Sequence, residues 1–413
     1  TLTAALEGTA PGLAALLTYQ PDTTVRDRRR RTLLMRAAQS ARDADAKVRT
    51  LLDAGAEIEA ADPYGSSALL YATRSENFEA AEVLVRRGAD VNVVDGRPGH
   101  DADGARRRWP SGESFSLSRR RHPGASSDLD EWTGLTPLLQ VVRHTPVATN
   151  PIAPVVAALI EYGADVDVKD SQGRTAAAHA VTNHHANALA LLLEAGVDPN
   201  IVWTRNPAHP AMVSLLGAAI ESRDASSVAI LLDYGADPRM AFSDSVPGDS
   251  AVMPIEIEPI HAAALAPTEI LELLLVAGVP VSARTSDGQT GLHVLTQRSR
   301  YHHPRLATVE SRSDATMVAN GRVLLQAGID VDALDDRGQS ALIMLIRSFS
   351  YGKNTVATDF AAILLEAGAA IDLRDHLGCT AMHYAARSSG TALAELLVCL
   401  LYTSPSPRDS IAS

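Results

Sequence analysis

Apolar positions along the chain recur with the period of a short helix and then stop at a glycine. Within the segment that ends at Gly88, Ala81, Leu84 and Val85 follow i, i+3, i+4 spacing, which predicts a helix with one apolar stripe. Nearly the same closing phrase returns as LLDAGAEIE at Leu51, LVRRGADVN at Leu84, LIEYGADVD at Leu159, LLEAGVDPN at Leu192, LLDYGADPR at Leu231, LLVAGVPVS at Leu274, LLQAGIDVD at Leu324 and LLEAGAAID at Leu364. In each, the glycine suits the left-handed residue that ends a helix. One short striped helix cannot bury its own apolar face, so neighbouring copies must stack.

A second phrase precedes each helix pair: DPYGSSALLYAT at Asp62, DSQGRTAAAHAV at Asp170, DDRGQSALIMLI at Asp335 and DHLGCTAMHYAA at Asp375. Asp at its first place and Gly at its fourth suit a type I turn, and the following Thr or Ser suits an N-cap. Pro137 and Pro259 fit the first helical position, which needs no N–H. From Gly55 to Ser67, Gly163 to Thr175, Gly278 to Thr290, Gly328 to Ser340 and Gly368 to Thr380 the step is 12, and from Ser67 to Gly88 and Thr175 to Gly196 it is 21. With TPLL at Thr136, EPIH at Glu258 and TGLH at Thr290, the pattern resembles the ankyrin repeat, whose period of about 33 residues is the sum of those two steps. The resemblance implies an all-α repeat solenoid of stacked helix-turn-helix units with β-turn or hairpin fingers, running as one array over residues 1–398. Caps at Thr32, Ser67, Thr136, Thr175, Val213, Glu258, Thr290, Ser340 and Thr380 mark nine repeats, with a remnant of another before Asp22. Val213 and Glu258 are poor caps, and His261, His293 and His383 alone fill the His place of the motif, where they are expected to be structural. Residues Ile201 to Ala264 should therefore be the least regular.

Composition narrows this little. Of 413 residues 46% are apolar and only 4% aromatic, so the core is expected to be mostly Ala, Leu, Val and Ile. No apolar run of about 18 residues or basic-then-apolar leader is present, and two cysteines, Cys379 and Cys399, are too few for a disulfide framework; a cytoplasmic or nuclear protein is the expectation. The tail Cys399 to Asp409, CLLYTSPSPRD, resembles a translated sequencing adapter. Residues 399–413 are accordingly read as a scar that removes the ninth repeat's second helix, and the natural chain is expected to continue at both ends.

The period breaks at insertions, which distinguish one array from another. Gly88 to Thr136 is 48 instead of 12, which places an insert at residues 95–130; Thr290 to Gly328 is 38 instead of 21, which places a second at 297–316. Smaller excesses precede Val213 and Glu258. Ala105 to Pro123 carries Arg106, Arg107, Arg108, Arg119, Arg120 and Arg121 against Glu113, in a chain of net charge −12. A second cluster, Arg26 to Arg31, occupies the turn before Thr32. Solvated surface is one reading of both. The other is docking of an acidic protein partner, with Arg28, Arg29, Arg30, Arg31 and the insert arginines as forks for carboxylate or phosphate and Trp109 and Phe115 as anchors. No phosphate-binding, dinucleotide, hydrolase or zinc-protease motif occurs, and the pairs at His184 and His302 lack the further ligands of a metal site, so neither enzyme, cofactor nor metal is expected. The resemblance implies a protein-binding scaffold or adaptor that uses a concave surface of turns and first helices. Two rival readings are the targeting arm of a larger enzyme, such as a ubiquitin-ligase subunit or kinase, and, disfavoured by a pI near 5.5, binding of nucleic acid or another polyanion. It further implies that Asn92 and Asn200, each eight residues after a leucine, resemble substrates of an oxygen-dependent asparaginyl hydroxylase. The alternative is that both asparagines satisfy turn backbone.

Overall fold

The computed structural model describes residues 8–19, 22–94, 135–144, 152–170, 172–206, 209–240, 242–244, 255–296, 314–348, 355–387, 394–395 and 397–398. The chain divides into two compact units, Thr1–Asp198 and Pro199–Ser413. Among the described residues the first begins with α1 (Ala10–Leu17) and continues as helix pairs: α2 (Leu33–Ala38) with α3 (Ala44–Asp53), α4 (Ala68–Arg74) with α5 (Phe78–Arg86), α6 (Pro137–His144) with α7 (Ala153–Glu161), and α8 (Ala176–Thr182) with α9 (Ala186–Glu194). First helices pack on first helices, α2 on α4, α4 on α6 and α6 on α8. Second helices form a parallel row, α3 on α5, α5 on α7 and α7 on α9, which α1 extends by packing on α3 with Leu13 fully buried. The helix before Asp22 is thus the second helix of a further copy.

Local chemistry starts most first helices and stops the second helices. Hydroxyls of Thr32, Ser67, Thr136, Thr175 and Ser340 accept the N–H three residues on, at 3.3 to 3.5 Å. The glycines of the closing phrase all have φ between +82° and +95°. After Gly88, the Ala89 N–H reaches back to the carbonyl of Leu84 at 3.0 Å, and the same bond closes on Leu51, Leu159, Leu192, Leu231, Leu274, Leu324 and Leu364. All eight of these leucines are completely buried. The recurring phrase therefore supplies a core residue and a helix stop at once.

In the second unit the stack is α10 (Leu215–Glu221) with α11 (Ala225–Asp233), α12 (Pro259–Ala264) with α13 (Thr268–Val276), α14 (Gly291–Thr296) with α15 (Asp314–Gln326), α16 (Ala341–Ser348) with α17 (Thr355–Glu366), and then α18 (Ala381–Arg387). Ahead of α10 and α12 stand antiparallel strand pairs, β1 (Val202–Asn206) with β2 (His209–Ser214) and β3 (Phe242–Asp244) with β4 (Ile255–Ile257). This corrects one expected cap. Val213 pairs with Trp203 and is buried, and Ser214 Oγ takes the Gly217 N–H at 3.0 Å, so Ser214 is the cap. Two boundaries also move. α15 begins at Asp314, so residues 314–316 of the second insert are helical, and Ala394, Glu395, Leu397 and Val398 are also helical, with Leu397 buried. Gly321 in α15 lies so close to the Phe360 ring of α17 that an added Cβ would collide with it.

Glu258 is the weak cap that the sequence suggests, and it leaves a mark. It makes no side-chain cap bond. Thr290 and Thr380 hold the Nδ1 of His293 and His383 with their hydroxyls, at 2.9 and 2.7 Å, whereas the buried Nδ1 of His261 has no hydrogen-bond partner. Glu258→Thr is expected to restore both bonds and stabilise the second unit by about 0.5–1 kcal/mol, the ordinary worth of an N-cap. A thermal melt checks this; an unchanged or lowered midpoint would refute it.

Candidate functional site

Among the described fingers of the first unit, a repeated carboxylate device joins finger to first helix. Asp62 accepts the N–H groups of Tyr64 and Ser66 on Oδ1, at 2.8 and 2.9 Å, and the Tyr71 hydroxyl on Oδ2, at 2.8 Å. Asp170 does the same with Gln172 and Arg174 on Oδ1, while its Oδ2 takes His179 Nε2 at 3.0 Å and the Arg174 guanidinium at 3.1 Å. In the first finger, Oδ1 of Asp27 holds the N–H groups of Arg29 and Arg31, and Oδ2 pairs with Arg31 at 2.9 Å and Arg36 at 3.7 Å. Asp375 repeats the arrangement in the second unit, with Tyr384 at 2.6 Å. The turn aspartate thus orders its own finger through one oxygen and grips the helix residue nine places on through the other. Met344 stands at that place after Asp335 and cannot donate.

These bonds shift protonation in consistent directions. Burial alone would raise the Asp170 carboxyl, but the His179 hydrogen bond, the Arg174 N–H and the Arg174 charge outweigh it and hold the pKa well below the usual carboxylate range. Burial lowers His179 in spite of Asp170, and lowers His261 and His293 likewise. The Tyr384 hydroxyl is pushed up to about 12, first by its bond to Asp375 and then by burial.

The expected site residues fare unevenly. Arg106, Arg107, Arg108, Trp109, Phe115, Arg119, Arg120 and Arg121 lie outside the described residues. Arg28, Arg29 and Arg30 are exposed on the first finger, Arg30 in the left-handed region at φ 59°. Arg31 differs from the expectation: Asp27 and Gln39 hold it, and its guanidinium lies 5.9 Å from the centre of the Tyr71 ring, so it braces the finger as well as facing outward. Asn92 Oδ1 accepts the Asp165 N–H at 2.8 Å and its Nδ2 donates to the Gly163 carbonyl at 3.0 Å, and Asn200 Oδ1 accepts the Asp237 N–H at 2.7 Å. Both asparagines bridge to the next turn, which is the backbone role the sequence left as the alternative. His184 and His185 sit in the connection between α8 and α9; His184 is exposed and His185 is buried. Among the described residues no cluster of His, Cys, Asp or Glu could hold a metal ion, and no helix is long and apolar enough to cross a membrane.

Arginines recur on three of the four first helices of this unit. Arg36 lies four residues after its cap, and Arg74 and Arg143 lie seven after theirs, positions three apart on one helix side. No Asp or Glu occurs in α2, α4, α6 or α8.

A family model described as ankyrin repeats matches the chain in three stretches, residues 2–95, 117–203 and 155–242. A search of curated proteins finds no match. The turn, cap and terminal-glycine geometry continues beyond residue 242 through α18, in the same order as in the matched stretches. On that match and that geometry, the chain belongs to the ankyrin-repeat family.

Proposed function

We propose that the array is a protein-interaction scaffold or adaptor whose partner contacts the fingers, the first helices and the insert at residues 95–130. The observation that carries this reading is the continuity of the stack beside the insert: α5 packs on α7 and α4 on α6, and Asn92 bonds directly to Gly163 and Asp165. The flanking repeats join through these described residues, and inserts between repeats are where repeat proteins carry recognition. Ankyrin repeats are generally interaction modules without catalysis, in keeping with a surface built of repeated turns and helices.

Excision of residues 95–130 with a short linker is expected to leave cooperative thermal unfolding in place while changing the set of proteins captured by the immobilised chain. Loss of cooperative unfolding would assign the insert to the core. Recovery of identical partners by the intact and shortened chains would move recognition to the finger and helix face. Recovery of none by either would overturn the scaffold reading.

A further inference from the structure

We draw no further inference here: the strongest candidate, the outer edge of the finger Asp375–Thr380, where Arg374 holds the Gly378 carbonyl of its own turn but, among the described residues, no carbonyl of a following repeat such as Arg284 finds in Leu334, and where Gly378 lies open although Asp336 covers Gly288 and His376 covers Gly338, carries nothing because nothing in the structure shows what covers it.

Discussion

Asp170→Ala is expected to destabilise the first unit by about 3–5 kcal/mol, the range for removal of one partner from a buried charge pair. The carboxylate is almost fully buried and serves two backbone N–H groups, His179 and Arg174 together. Alanine would leave all of these donors facing a site that water reaches poorly. Asp170→Asn keeps an oxygen for the turn N–H groups but loses the charge, so it should cost less. Denaturant unfolding of the three proteins decides, and a loss below that of Asn by the Ala variant would sink the account. The pH profile follows from the same site. The folded-state pKa of Asp170 lies below its unfolded value of 3.8, so its contribution is fully present above that value and is lost as pH falls through the folded pKa. For the buried histidines the folded pKa is lowered from 6.5, so the unfolded chain gains protons first and stability declines as pH falls below 6.5. The melting midpoint should be level above that pH, decline below it through His179, His261 and His293, and decline again in the acid range through Asp170. His179→Gln should reduce the first decline, and Asp170→Ala the second.

Leu84→Ala should cost about 2–5 kcal/mol, as large-to-small changes at fully buried leucines do. Leu84 has no exposed surface, and its carbonyl receives the Ala89 N–H that closes α5 after Gly88. A cavity here loosens α5 against α3 and α7 on either side, because a stack transmits damage only to its neighbours. Arg86→Ala, two residues on, removes an exposed pair with Glu82 and should change stability by less than about 1 kcal/mol. Equal effects of the two substitutions in chemical denaturation would show that the closing phrase is not a core element.

Much of the fold is legible in the sequence because its signals act over a few residues. A hydroxyl caps the N–H three places on, and the glycine of each closing phrase takes positive φ one residue past the helix, so caps at Thr32 or Thr175 and stops at Gly88 or Gly196 follow from spacing alone. Contacts between repeats are less legible, since stacking assembles them. Arg36, Arg74 and Arg143 become one row only when α2, α4 and α6 pack side by side, across an insert of 36 residues beyond the ordinary turn. Asn92 meets Gly163 from 71 positions away, and no local rule announces that bond. Asp170 and His179 stand nine apart, but which way the helix faces the finger decides whether they touch. The choice of Ser214 over its neighbour Val213 as a cap came from the hairpin, whose register commits Val213 to Trp203 and to the core. Short-range hydrogen bonding and backbone sterics wrote the repeat, period and helix ends into the sequence, whereas the pairing of distant side chains depended on packing and was settled by the tertiary structure.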